Sequence, residues 1–209
     1  MMFTDRDDAA RRLAARLAHY RGQNPLILAI PRGAVPMGAV LADELEGELD
    51  VILSHKLRAP QQPELAIGAI GEDGRMYLNP RAVSVFLNIS EAYLERERDY
   101  QLALLRERRR ALGLPPADPA GRIVIVVDDG VATGATMKLA LLSLGERAPR
   151  RLICAVPVGP PETISELEDL AGEVVCLHVA PDFMSVGQYY HRFTQVSDAE
   201  VTATLQRRT

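Results

Sequence analysis

Residues 123–127 read Ile-Val-Ile-Val-Val, and two carboxylates, Asp128 and Asp129, follow without a break. No face of that run is polar, so as a strand it must be covered on both sides. Such a strand, in a chain whose other apolar runs alternate with helical patterns, belongs in the middle of a parallel sheet. The other runs comply. Residues 26–30, 49–54, 151–156 and 173–179 read as further strands. Helices are expected over 5–20, from Ala34 to Gly47, over 91–112, from about Gly134 to Gly145 and over 162–171. Thr4 with Asp7 resembles a capping box, Ser90 caps the long charged helix and Gly113 stops it. Residues 65–70, the turn-like "GEDG" and residues 75–78 suggest a hairpin or flap. The expected class is α/β, a central parallel sheet with helices on both faces, whose ligands sit beyond the carboxyl ends of the strands.

Composition narrows the field of functions. The 209 residues suit one domain, 1–209, and 47% apolar with 25% charged residues is ordinary for a soluble protein. A net charge of −4 offers no overall field for nucleic acid or anionic lipid. The apolar runs are strand-length, too short for a membrane span, and "MMFTDRDDAARR" has no apolar leader core, so a cytoplasmic location is expected. Cys154 and Cys176 both fall in apolar runs and read as free buried thiols. None of the histidines, at 19, 55, 178 and 191, has triad or metal spacing. Of 24 basic residues only Lys56 and Lys138 are lysines. The long helix, with "LERERDY" and "LRERRRALG", reads as a solvated, salt-bridged face rather than a nucleic-acid reader.

The chemistry lies where the central strand ends. Adjacent acids point to different sides, and carboxylates there favour hydroxyls or a divalent cation. In the following "GVATGAT" (130–136), Gly130 and Gly134 let the backbone approach closely, and Thr133 and Thr136 bring hydroxyls. A helix starting near Gly134 adds unpaired amides and a positive dipole end. Acids for a diol beside a cradle for phosphate describe a phosphorylated sugar. A Walker A loop does not fit, because Lys138 comes four residues after Gly134, and no G-x-G-x-x-G is present. The plain alternative is a capped strand–turn–helix junction.

"VIVVDDGVATGATM" resembles the phosphoribosyl pyrophosphate (PRPP) signature of type I phosphoribosyltransferases, and "KLRAPQQPELAIGAI" resembles a branch of that family with unassigned acceptor. By resemblance, Asp128 and Asp129 hold the ribose hydroxyls. Gly130, Val131, Ala132, Thr133, Gly134, Ala135 and Thr136 form the 5′-phosphate loop. The family's pyrophosphate loop after the first core strand maps onto "AIPRGAVPMG", giving Arg32, Gly33 and Ala34, with the Pro31–Arg32 peptide cis. Read alone, "PRG" fits any turn before a helix. Lys56 and Arg58 fall where the family keeps a mobile loop that closes over PRPP, and residues 57–64 are expected to be mobile without ligand. A small hood is expected from 180–209 with part of the first helix, placing Asp182, Phe183, Met184 and Tyr189 near the acceptor; those aromatic residues also suit a sealed subdomain.

The resemblance therefore implies a phosphoribosyltransferase that takes PRPP with Mg²⁺, releases pyrophosphate and modifies a nitrogenous small molecule, assembling as a homodimer. Asp128, Asp129, Arg32 and Lys56 carry the catalysis, with the ion reached by Asp128 or Asp129 through water. The alternative is a PRPP-sensing regulator of the same fold, and the acceptor is left open.

Overall fold

A computed structural model of the chain describes residues 2–60, 62–79, 83, 89–113 and 115–207. Its main sheet has five parallel strands in the order β2-β1-β6-β7-β8: β1 Leu26–Ala29, β2 Glu48–Val51, β6 Ile123–Val127, β7 Arg151–Gly159 and β8 Glu173–Val179. β6 is central, as its composition requires. Alternate side chains enter two separate cores, since successive residues of a strand face opposite ways. Ile123, Ile125 and Val127 join one with Ile27 and Ile153; Val124 and Val126 join the other with Leu26, Leu28 and Cys154.

The first core is closed by α1 (Arg6–Arg16) and α2 (Ala34–Leu45), through Leu13, Met37 and Leu41, with Leu17 at the α1 C-cap. The second is closed by α4 (Ala135–Gly145) and α5 (Pro161–Glu168), through Met137, Leu141, Ile164 and Leu167. A further helix, α6 (Asp198–Gln206), packs its Val201 and Leu205 on the first core and carries a full capping box between Ser197 and Glu200. The N-cap of α1 is Asp5, which accepts from the Asp8 amide, one residue beyond the expected Thr4.

The segment expected to be mobile, 57–64, falls within a hairpin. β3 (Ser54–Ala59), β4 (Gln62–Gly71) and β5 (Met76–Leu78) form an antiparallel sheet, and Gln61 lies outside the described residues. Polar strand residues hid it: "SHKLRA" and "QPEL" bury little besides Leu57 and Ala59. The long helix α3 (Glu91–Leu112) holds this sheet in place. Glu97, Gln101, Leu105, Arg109 and Leu112 recur at helical spacing and are all buried. Glu97 takes the Arg58 fork at 2.8 and 3.0 Å, and Gln101 meets His55 at 3.0 Å. Arg109 donates to Glu72 on the β4–β5 turn, to Asp50 and to the Val51 carbonyl. One face of the helix is thus not solvated but builds a buried polar seam. Among the described residues no helix is long and apolar enough to cross a membrane, and both cysteines are free.

Candidate functional site

Beyond the carboxyl ends of β1 and β6 the loops 30–33 and 128–134 lie side by side, because their strands are parallel neighbours. The Pro31–Arg32 peptide is cis. Gly33 follows, packed so closely on the second acid that a Cβ there would stand 2.0 Å from Asp129 Oδ2. Ala34 is buried as the first residue of α2. The two loops that the sequence reading linked to one ligand are therefore in contact.

The phosphate-type loop has a defined polarity. The Ala132 carbonyl accepts from the Thr163 hydroxyl at 2.7 Å, and the Thr133 carbonyl from Lys138 Nζ at 3.0 Å. The Gly134 carbonyl accepts from the Lys138 amide at 2.8 Å. In a trans peptide the N–H points opposite its carbonyl. Three carbonyls held from the protein side therefore turn the N–H groups of Thr133, Gly134 and Ala135 the other way. Gly134 takes φ +69°, and no side chain caps the start of α4, so that helix end also presents free amides. Val131 differs from its neighbours: its amide is spent on the Val158 carbonyl at 2.9 Å and its side chain is in the core.

These groups line a cleft of about 340 Å³ with Asp128, Gly130, Ala132, Thr136 and, from β3 across it, Lys56. Lys56 is exposed and forms no ion pair with the described residues. Arg58, two residues on, does not line the cleft: the β3–β4 register shifts between Leu57 and Arg58, and its guanidinium turns to Glu97. Arg32 also has a partner elsewhere, Asp198 at 3.4 Å, which Arg108 reaches at 2.8 Å.

The acid pair is held asymmetrically. Asp128 Oδ1 accepts from the Asp129 amide at 2.8 Å. Burial, and then the charge of Asp129, push the Asp128 carboxyl well above the usual range. Asp129 is also pushed up by burial, but Arg6 opposes it, donating to Oδ2 from Nε at 2.9 Å and Nη2 at 2.7 Å. We assign the charge of the pair to Asp129 on that contact. The Tyr190 hydroxyl donates to the Asp129 carbonyl at 2.7 Å.

Residues 186–194 meet the acid loop through Val186 and Tyr190 and are pinned to the start of the chain: the Phe3 amide donates to the Tyr189 carbonyl, and the His191 and Arg192 amides to the Phe3 and Thr4 carbonyls. Phe183 stacks on Tyr189, with ring centroids 5.8 Å apart, and His178 tilts against the same tyrosine at 5.5 Å. Met184 is 87% exposed. Asp182 is exposed, and its carbonyl accepts from Gln188.

Arg6, Thr163 and Asp198 had no local signal in the sequence, since each partner lies 31 or more residues away, and Tyr190, expected among the tail aromatics, acts through its hydroxyl instead. Lys138 did have one: a scarce lysine, four residues after Gly134 in a helix, faces back onto the loop.

Residues 4–194 match the phosphoribosyl transferase domain family. Two Mycobacterium tuberculosis proteins carrying phosphoribosyl transferase names, Rv0571c and MT0597, are 42% identical over 208 residues, 99% of this chain and 47% of theirs. The chain thus spans about half the length of these curated relatives. A crystal structure of TT1426 from Thermus thermophilus is 43% identical, with a TM-score of 0.84 over 100% of this chain and 99% of that one. A hypothetical protein from Neisseria gonorrhoeae, crystallised with bound ppGpp, is 12% identical with a TM-score of 0.52 over 99% and 94%, and shares the fold.

Proposed function

This chain belongs to the phosphoribosyltransferase family, and from that premise we propose that it binds PRPP with Mg²⁺ and transfers the phosphoribosyl group to a nitrogenous acceptor. The observation that carries the reading is the loop polarity: three carbonyls anchored from below by Thr163 and Lys138, and three amides turned outward beside an acid pair. That arrangement suits a phosphate next to a vicinal diol.

In this reading the amides of Thr133, Gly134 and Ala135 with the end of α4 take the 5′-phosphate. Asp128 and Asp129 take the ribose hydroxyls. Two adjacent carboxylates, with no cluster of three potential metal ligands among the described residues, suit an ion carried mainly by the substrate's oxygens. Its chemistry when bound is to neutralise the leaving pyrophosphate. Lys56, at the cleft and without an ion pair among the described residues, adds charge on the pyrophosphate side, and Arg32 does so once it leaves Asp198. The C1–oxygen bond breaks with its electron pair passing to pyrophosphate, and the acceptor nitrogen bonds C1 and loses its proton. Holding the sugar still while stabilising the leaving anion is the work of the site. The acceptor is assigned to the side of residues 182–194, where Phe183 is half-buried and Tyr189 is packed beneath Phe183 and His178.

The test is incubation with PRPP, Mg²⁺ and a panel of purines, pyrimidines and other nitrogenous compounds, with pyrophosphate assayed. Release that depends on an acceptor and on Lys56 supports the transferase. PRPP binding without release under every acceptor would return the protein to a sensor, and no PRPP binding would overturn the reading.

A further inference from the structure

We propose that Arg6 is the positioning residue of this site, fixing the Asp129 carboxylate through Oδ2 and tying that orientation to the segment 190–194. The ligand it serves rests on the PRPP reading; the contact itself does not.

The geometry of the pair is unusual for arginine and carboxylate. A fork that bridged both oxygens would have closed the carboxylate to any other donor. Here Nε and Nη2 both donate to Oδ2, at 2.9 and 2.7 Å. Among the described residues no other side chain donates to this carboxylate, so Arg6 alone sets its orientation from the side-chain side. The remaining valences of Arg6 are spent on the segment 190–194. Nη1 donates to the Thr194 carbonyl at 2.6 Å, and the guanidinium lies over the Phe193 ring, 4.0 Å from its centroid. Tyr190, in van der Waals range of Phe193 with ring centroids at 4.9 Å, donates to the Asp129 main chain. The side chain and the backbone of Asp129 are therefore both held from 190–194, one through Arg6 and one directly.

Burial makes the arrangement consequential. The side chains of Arg6 and Asp129 are 11% and 15% exposed. Removing one partner from so enclosed a pair leaves the other charge unpaired. Lysine is no substitute, because a single ammonium lacks the planar set of donors and the flat face that stacks on Phe193. Gly33 belongs to the same construction: a Cβ there would meet Arg6 Nη2 at 3.1 Å as well as Asp129. The opposed idea is that Arg6 merely blocks the acid until substrate displaces it. Displacement would break three hydrogen bonds and a ring contact at once.

The test compares wild type with Arg6→Met and with the milder Arg6→Lys, in two measurements. Without ligand, amide hydrogen exchange over residues 191–196 should quicken in both variants, more in Arg6→Met. With ligand, calorimetry should show PRPP·Mg²⁺ binding weakened at least about tenfold in Arg6→Met, while inorganic pyrophosphate, which carries no ribose hydroxyls for Asp129 to hold, should bind within about twofold of wild type. A variant that is loosened overall would lose both ligands alike, and that result would reduce Arg6 to a structural residue. Unchanged or tighter PRPP binding in the variants would establish blocking and overturn positioning. If wild type binds neither ligand, the PRPP reading fails, and the exchange measurement still decides whether Arg6 governs the segment 190–194.

Discussion

Gly33 lies so close to Asp129 that a methyl group on it would sit 2.0 Å from the Oδ2 oxygen. This contact joins the loop after β1 to the acids after β6, and a Cβ at 33 is opposed by space rather than by conformation, since the backbone there is ordinary helical (φ −57°). Gly33→Ala must push the carboxylate off Arg6. The expected cost is about 1–3 kcal/mol of stability, as for overpacking elsewhere, or about 2–4 °C in Tm per kcal/mol for a domain of this size. PRPP binding should be lost beyond what the stability change accounts for. Wild-type melting together with wild-type PRPP affinity would show that the two loops are independent.

The phosphate loop should fail from beneath. Lys138 is buried, with its ammonium on the Thr133 carbonyl and on Glu166. Lys138→Met keeps the stem and removes the donor, leaving a carbonyl short of a partner at about 1–3 kcal/mol. Thr163→Val removes the donor to Ala132 with the same shape, at about 1 kcal/mol. Both should weaken PRPP through the freed peptide planes, and in combination they should not add, because they hold adjacent peptides of one loop. Strictly additive losses in a double-mutant cycle on PRPP affinity would deny the shared mechanism. Gly134 is the poorer probe: it sits at φ +69°, and a Cβ would meet Thr163 Cγ2 at 2.7 Å, so a substitution there disturbs fold and ligand together.

What the sequence disclosed follows from range. β6 was legible because five apolar residues admit one placement, and the boundaries of α3 because Ser90 and Gly113 are local caps, both observed. The acids and the loop were legible because they are contiguous. The β3–β4 hairpin was not, since its arms stand on α3 through polar pairs such as Arg58–Glu97 and present no apolar alternation. For the same reason the α3 face that carries Glu97 and Arg109 looked solvated: a buried charge is recognisable only beside its partner. Arg6 illustrates the limit, being 123 residues from the carboxylate it holds.

Asp128 should make ligand-free stability depend on pH with an inverted sign. Its folded carboxyl titrates well above the unfolded value of about 3.9, because burial and Asp129 oppose its charge. Between those two values the native state holds a proton that the unfolded chain has released. Stability is therefore fully present below about pH 4 and falls as pH rises through the folded value. Asp128→Asn removes the penalty and can still accept the Asp129 amide. In urea titrations without ligand, the variant should gain nothing over wild type near pH 4 and a growing margin toward pH 7.5, while losing PRPP. A margin that is the same at every pH, or that shrinks toward neutrality, would contradict a carboxylate destabilised for function.

Arg32 and Arg108 converge on a single carboxylate, Asp198, which is 68% exposed at the start of α6. If Arg32 serves pyrophosphate, that carboxylate occupies its place in the ligand-free protein and must yield. The contest should be mild, because exposed ion pairs are worth about 0.2–1 kcal/mol each. Asp198→Asn keeps the Ser197–Glu200 capping box, and the main-chain carbonyl that Thr202 uses, so α6 should remain folded. Freed of its competitor, the arginine pair should bind inorganic pyrophosphate about twofold to fivefold more tightly, with a steeper dependence on salt. Arg32→Gln should lose most of that binding. Arg108→Gln should lose it too if both arginines serve the anion, and leave it intact if Arg108 only anchors the helix. Calorimetry with pyrophosphate at two ionic strengths separates the cases. Asp198→Asn binding no better than wild type, with Arg32→Gln unimpaired, would place pyrophosphate away from this loop and leave Lys56 as the residue to pursue.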